Sequence, residues 1–418
     1  MVSEVTNLAD QMLRQLPAEL VEFMRVAGQA ASKKGQSLYL VGGVVRDLLL
    51  KRTNLDLDLV VEGDAIGLAK QLAESVKGKI LTHTRFGTAK LKWDSWSVDF
   101  ATARSETYER PGALPSVSPG SLDDDLFRRD FTINAMAVEL IPKCFGKLVD
   151  LYGGMSDLKR KLIRILHERS FIDDATRIWR GLRYEQRLGF QLEADTLRLL
   201  KRDIPMLDAI SGDRIRHELE LVLREAEPEK VILRAEELGV LAKLHPSLKG
   251  DSWLEEKFRE ARKLKTLPSV ELYISLITYR LTIEEKDELI SHLKLNKTAA
   301  QVLRDTSSLK SKLDVLSMPE AKPSSTYQLL SDSTPEAITA IFLVTDSPVV
   351  RQRIRLFLNK LRYIRPALTG NDLLKMGIAQ GPKVKEVLAH LHKARLDGEV
   401  TSKKEEEALV REWVEKAE

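Results

Sequence analysis

The stretch NLDLDLVVEG (54–63) decides how this chain reads. In LDLDLVV, Leu55, Leu57 and Leu59 alternate with Asp56, Asp58 and Val60, the period of a β-strand whose successive side chains point to opposite faces. The spacing predicts a strand over 55–61 with one oily face. The other face carries two carboxylates held about 6–7 Å apart by the rise of the backbone. Two like charges fixed side by side make either a wet strand face or a seat for hard cations, and the flanking segments separate the two.

Upstream, QSLYLVGGVVRDLLL reads as strand, Gly42-Gly43, then a helix from about Val44. Glycines at such a junction let backbone N–H groups approach an oxyanion, and a helix N-terminus adds its positive end. Arg46, in the first turn, is placed to reach the same phosphates bidentately. Paired carboxylates are the oxygen ligands that Mg²⁺ requires. A phosphate turn beside Asp56 and Asp58 is the minimum for two-metal phosphoryl or nucleotidyl transfer. A third acid, Asp99, stands between Val98 and Phe100 in SWSVDFATAR, on what reads as a neighbouring strand.

The chain of 418 residues is too long for one ordinary core, and 43% apolar with 31% charged residues describes a soluble multi-domain protein. Lys and Arg number 66 against 62 Asp and Glu, an excess that permits a polyanionic partner without demanding one. One cysteine, Cys144, leaves no disulfide framework or Cys-based zinc site and suits a reducing cytoplasm. MVSEVTNLADQMLRQL has no basic region followed by an apolar core, and no apolar run reaches 18 residues, so neither a signal peptide nor a membrane span is expected.

Strand patterns concentrate at the front, in 36–41, 55–61, 78–84, 86–93 and 96–102, with helix patterns over 7–33, 44–51 and 64–76. SETYERPGALPSVSPGSLDDD (105–125) holds three prolines, two glycines and five serines or threonines, and reads as a long loop. After about residue 155 the chain is helix after helix. The expected architecture is an α/β N-terminal domain followed by an elongated all-α region.

LVGGVVRDLLL…NLDLDLVV, RRDFTINAMA (128–137), GGMSDLKRKLIRIL (153–166) and DDATRIWRGLRYEQRLGF (173–190) occur in that order. Together they resemble the successive motifs of class II tRNA nucleotidyltransferases, the CCA-adding enzymes, and of bacterial poly(A) polymerases. LTGNDLLKMGIAQGPKVKEVLAHLHKARLDGEV (368–400) looks like the family's tail. The resemblance implies an α+β protein with a polymerase-β-type nucleotidyltransferase head, a mixed sheet with helices, followed by an elongated all-α neck, body and tail. The implied parts are a head over 1–150, a neck that reads the base over 151–225, a body over 226–310 and a tRNA-gripping tail over 311–418.

The residues carry a matching chemistry. Arg128 and Arg129 offer charge to a triphosphate, and Asp130 an acceptor for a ribose 2′-hydroxyl, the contact by which a protein prefers ribonucleotides. Asn134, four residues on, would buttress Asp130 from the same helical face. In DDATR, Asp174 and Arg177 are i,i+3 neighbours on a helix, an acceptor beside a donor. Cytosine and adenine both present an amino donor beside a ring-nitrogen acceptor, which this pair complements, whereas guanine and uracil present the reverse. Arg180 extends that face and Gly181 leaves room. The family's first acid is Glu, but Asp173 stands here, and Ser170-Phe-Ile-Asp173 reads as a capping box.

The functional expectation is a template-independent tRNA nucleotidyltransferase adding C and/or A to the tRNA 3′ end from CTP and ATP with two Mg²⁺ ions. Asp56 and Asp58 would hold the metals, with Asp99 the third acid. Its partners would be the tRNA acceptor stem and 3′ end and nucleoside triphosphates. Poly(A) tailing with ATP shares the motif set, and a catalytically silent tRNA-binding protein is a reading of another class. The resemblance implies a shortened 105–125 segment in CC-only relatives, and the FGTAKL…SETYERPGALP frame looks closer to A-adding ones. Basic runs such as RQRIRLFLNKLRYIR (351–365), and the helix after Gly381-Pro382, are candidate contacts to RNA phosphates. The seven histidines contain no HExxH and no His-Asp pair, so no metal phosphohydrolase domain is signalled.

Overall fold

Leu57 and Leu59 are fully buried, as the alternation requires, but Leu55 is 41% exposed because the strand starts at Leu57. The cause is local: the Asn54 side-chain oxygen accepts the Asp56 amide at 2.9 Å. That Asx turn holds residues 54–56 out of the ladder. Asp56 therefore sits on a turn and Asp58 inside the strand.

The computed structural model describes residues 6–110, 112, 113 and 115–415. Its main sheet uses β1 (Ser37–Val41), β2 (Leu57–Glu62), β3 (Lys79–His83), β4 (Thr88–Trp93) and β5 (Trp96–Thr102). A separate antiparallel hairpin follows, β6 (Arg104–Thr107) with β7 (Ser116–Pro119), before β8 (Ala137–Glu139) and β9 (Leu148–Val149) rejoin the sheet. The order is β3-β4-β5-β2-β1-β8-β9, with β2 and β5 parallel and the other neighbours antiparallel.

Helices α1 (Ala9–Gln15) and α2 (Ala18–Lys33) split the 7–33 pattern at Pro17, and α3 (Gly43–Leu49) and α4 (Ala65–Ser75) follow β1 and β2. One face of the sheet is sealed by α2 and α4. Phe23 stacks on Trp93 with centroids 4.5 Å apart and meets Phe100 edge-on at 6.4 Å. The other face is apolar only at one end, where Val41, Val60, Ala103, Leu126 and Ala137 cluster. In register, Asp58 lies opposite Val41 on one side and Asp99 on the other, so the pleat puts both acids on this second face.

The 105–125 segment is not a loop throughout. It forms the hairpin and then α5 (Leu122–Phe127), started by a reciprocal Ser121–Asp124 capping box. Pro111 and Leu114 lie outside the described residues. Beyond α6 (Gly154–Arg160) come α7 (Ser170–Asp173), α8 (Thr176–Leu188), α9 (Ala194–Asp203), α10 (Gly212–Leu223) and α11 (Pro228–Glu237). A short parallel pair, Leu162–Ile163 with Gln191–Leu192, interrupts the expected all-α run.

Contacts divide the chain into two units, Met1–Lys243 and Leu244–Glu418. Among the described residues the second is helical, and none of its helices or those of the first is long and apolar enough to cross a membrane. Near its end Leu373, Val387, Leu391 and Val410 form a core. The C-terminal helix Lys403–Glu415 is more than a solvated surface: Glu406 is fully buried and accepts the Ala367 and Leu368 amides and an Arg395 ion pair. His392 is half-buried, with its ring nitrogen 3.0 Å from the Ile364 carbonyl oxygen.

Helix α2 crosses the Leu140 backbone at Gly28, where an added Cβ would stand 1.9 Å from the carbonyl oxygen. Gly→Ala inside a helix ordinarily stabilises by about 1 kcal/mol. Here the clash reverses the sign, and Gly28→Ala is expected to destabilise by about 1–3 kcal/mol, read from urea unfolding midpoints.

Candidate active site

Between β1 and α3 the chain turns at Gly42, whose φ of +80° lies in the left-handed region. A Cβ there would stand 3.0 Å from Arg129 Nη1 and 3.6 Å from Asp58 Oδ2. Gly42 therefore lays bare backbone directly beneath a cation and an acid. The cleft above it has a volume of about 600 Å³ and is lined by Gly42, Gly43, Arg46, Asp56, Asp58, Arg129, Asn134 and Arg180. Eight residues expected from widely separated motifs thus meet in one place.

Burial raises Asp58 to about 6, against the pull of Arg129 and with the push of Asp56 and Asp99. A half-buried carboxylate beside two others is a set of hard oxygen donors short of positive charge, which fits Mg²⁺. Asp99 is in register with Asp58, yet its carboxylate is ion-paired with Lys90 at 2.8 Å. Among the described residues no three His, Cys, Asp or Glu side chains gather into a complete cage. An ion here would rest on Asp56 and Asp58, with water or substrate oxygens completing its shell, as Mg²⁺ commonly does.

Arg46 is 2% exposed, and its bidentate partner is Asp47, reached by Nε at 2.9 Å and Nη2 at 2.8 Å. Its Nη1 donates to Asn134 Oδ1 at 2.8 Å. Asn134 in turn donates Nδ2 to Asp130 Oδ1 at 2.9 Å. The Asn134–Asp130 contact expected from a helix exists, but Thr132–Asn134 is a single 3₁₀ turn. Asp130 also accepts the Phe131 amide at 2.8 Å and Arg180 through Nε at 2.9 Å and Nη2 at 2.6 Å. Four donors occupy its four acceptor directions, so a ribose hydroxyl would have to displace one. Burial alone would push this carboxyl up, but Arg180, Asn134 and Arg177 overcome it and hold it at about 2. Arg128 is also spoken for, by Asp125 at 2.6 Å and Glu106 at 3.1 Å, and Arg129 pairs with Asp125 at 2.9 Å.

The DDATR segment differs most from its sequence reading. Asp174 is not on the helix of Arg177: α7 ends at Asp173, Asp174 is extended, and α8 begins at Thr176. Asp174 Oδ1 accepts the Thr176 amide at 3.0 Å and its hydroxyl at 2.6 Å, an Asx turn leading into α8, whose N-cap position Ala175 holds. Ser170 is no N-cap either, since Arg169 holds that position. Ser170 Oγ instead accepts Arg177 Nη1 at 2.6 Å, while Arg177 Nη2 donates to the Arg128 carbonyl at 2.5 Å. Asp173 faces Arg169 at 3.5 Å and His167 at 4.0 Å. The space beside Gly181 is filled by Phe131, whose ring would be 3.2 Å from a Cβ.

Asp130, Asp174 and Arg177 line a second cavity of about 310 Å³, and Arg129 and Arg180 belong to both. Tyr184 and Arg187 join the first, and Tyr108 and Arg214 the second, none singled out from sequence. Tyr184 and Arg187 were legible, since they lie four and seven positions after Arg180 on α8, hence on its face. Arg214 was not: it arrives from α10, and no spacing announces it.

A glycine turn facing paired acids on a mixed sheet, with an arginine-lined helix beside them, defines a polymerase-β-type nucleotidyltransferase head. Residues 38–164 match the family described as poly(A) polymerase head domain, and 189–251 the probable RNA and SrmB-binding site of polymerase A. The chain is 37% identical to the A-adding tRNA nucleotidyltransferase of Geobacter sulfurreducens over 96% of its length, but spans only 48% of that protein. It is 32% identical to the A-adding enzyme of Halalkalibacterium halodurans, over 97% of this chain and 96% of that one. A solved structure of the Thermotoga maritima CCA-adding enzyme complexed with tRNA aligns at a TM-score of 0.78 and 30% identity, covering 99% of this chain and 100% of that one. The chain belongs to the tRNA nucleotidyltransferase family.

The depressed Asp130 carboxyl stabilises the native state above the ordinary carboxylate range and loses that contribution as pH falls toward 2. Asp130→Asn is therefore expected to lower stability at pH 7 by about 2–3 kcal/mol. The gap between variant and parent should close between about pH 4 and pH 2, as measured by paired urea titrations.

Proposed function

We propose that this protein adds A to the 3′ end of tRNA from ATP by nucleotidyl transfer, releasing pyrophosphate. The observation that carries the reading is the junction of the two cavities at Arg129 and Arg180: acids and glycine turn on one side, Asp174 and Arg177 on the other. A nucleotide lying across it has its triphosphate over Gly42-Gly43 and its base beside Asp174. The choice of A within the family rests on two A-adding relatives matched over nearly all of this chain. CTP is the competing substrate, and the same base-reading corner accommodates it.

Each residue then has a task. Gly42 and Gly43 keep the cleft floor free of side chains, so the triphosphate approaches the backbone. Arg129 and the Nη groups of Arg46 neutralise phosphate charge. Asp56 and Asp58 would hold Mg²⁺, which supplies Lewis-acid activation of the 3′-hydroxyl and charge neutralisation at the leaving pyrophosphate. Asp99, restrained by Lys90, is a supporting acid on the same face. The Asp130–Asn134–Arg180 cluster fixes the wall where the ribose lies. Asp174 accepts from the exocyclic amine, and Arg177, whose Nε has no hydrogen-bond partner among the described residues, donates to the ring nitrogen. Within the first unit we assign residues up to 150 to the head and 151–225 to the base-reading neck; the body over 226–310 and tail over 311–418 bind tRNA, the latter through the helix Pro382–Asp397. We infer a cytoplasmic location from the proposed tRNA substrate.

The family match to a poly(A) polymerase head favours one second reading, unlimited A addition. One assay separates them: tRNA ending at the discriminator base, in -C or in -CC, each with labelled CTP or ATP. A single A on -CC alone is the expected result. Stepwise C, C, A would make it a CCA-adder, and an unlimited A ladder a tailing enzyme. Asp56→Ala with Asp58→Ala is expected to cut incorporation by about three orders of magnitude while tRNA binding in a gel shift persists. Retained incorporation would remove the metal assignment.

A further inference from the structure

We propose that Arg214 of α10 is a positioning residue for base selection, holding the Asp174 carboxylate so that one oxygen is reserved for the incoming base. This rests on the reading of Asp174 given above. The observation behind it is an asymmetry within one carboxylate. Asp174 Oδ1 receives three donors: the Thr176 amide at 3.0 Å, the Thr176 hydroxyl at 2.6 Å and Arg214 Nη2 at 2.8 Å. Oδ2 receives no donor from the described residues.

Saturating one oxygen fixes the plane of the carboxylate and leaves a single acceptor beside the cavity. A lone oriented acceptor is what discrimination needs. It pairs with the amino group of adenine or cytosine and opposes the carbonyl of guanine or uracil, leaving the mismatched pair unsatisfied. Thr176 alone does not fix it, because both its bonds are short-range, within two residues of Asp174. Arg214 comes from forty residues away and is itself held. Its Nη1 donates to the Gly112 carbonyl at 3.3 Å. Gly112 is seated closely, since a Cβ on it would stand 2.6 Å from the Ala209 carbonyl oxygen and its φ is +73°. The guanidinium is therefore held from the hairpin tip through Nη1 and against Asp174 through Nη2 at once.

The test compares parent, Arg214→Gln and Arg214→Lys, first for folding by thermal unfolding, then for nucleotide choice. Equilibrium binding of ATP, CTP, GTP and UTP without tRNA gives the preference directly, and steady-state addition to tRNA ending in -CC gives kcat and KM separately. In Arg214→Gln the preference for ATP over GTP should fall at least about tenfold, chiefly through weaker ATP binding. Arg214→Lys, which keeps the charge but loses the fork, should retain part of it. Unchanged nucleotide preference in a folded Arg214→Gln protein overturns the proposal, as does an equal loss for all four nucleotides, which marks a purely structural role. If the parent binds nucleotides selectively but adds nothing to tRNA, the proposed function fails while the binding preferences still decide the role of Arg214.

Discussion

Everything at this site hangs on one buried carboxylate. Asp130 accepts from its own neighbour's amide, from Asn134 and twice from Arg180, and Asn134 passes the connection on to Arg46 at the glycine turn. Three stretches of chain, at 46, 130–134 and 180, are thereby fixed to one point. Breaking a buried charge pair leaves an uncompensated charge, so the arrangement is costly to disturb and correspondingly rigid. That rigidity lets the acids of the sheet and the arginines of α8 face one space at a set separation.

The sheet answers a second constraint. Its strands must bury apolar side chains and also display acids, and the period of two lets β2 do both. Leu57, Leu59 and Val61 go to the face sealed by α2 and α4, while Asp58 goes to the face shared with Asp99. Val60, next on that second face, returns it to the core at once. Burial there raises the proton affinity of Asp58, against the pull of Arg129.

The arginines are nearly all committed. Arg46 is held by Asp47, Arg128 by Asp125 and Glu106, Arg177 by Ser170 and a carbonyl, and Arg214 by Asp174. A guanidinium has five N–H donors, so each can be fixed by the protein and still have donors left for a ligand. Pre-oriented cations of this kind cost little further ordering when an anion arrives.

The sequence by itself determined the strands of the head, the glycine turn and the paired acids, while the order of its motifs carried the resemblance that implied roles for the RRD and DDATR residues. The strands and the turn are set by short-range rules: a period of two for strands and backbone freedom at glycine. It misplaced what depends on side chains capturing backbone groups nearby and on pairings between segments that no period announces. Leu55 left the strand because Asn54 captured an amide, and the Pro- and Gly-rich 105–125 stretch became a hairpin because Arg104–Thr107 found Ser116–Pro119. Asp174 and Arg177 were expected on one helix, but Asp174 forms an Asx turn before α8 and Ser170 turns to Arg177. Only the tertiary structure decided which oxygen of Asp174 takes the donors and which arginine supplies one of them. Arg214 and Asp174 are forty positions apart, and a hydrogen bond of 2.8 Å is fixed by how helices pack, which no local pattern encodes.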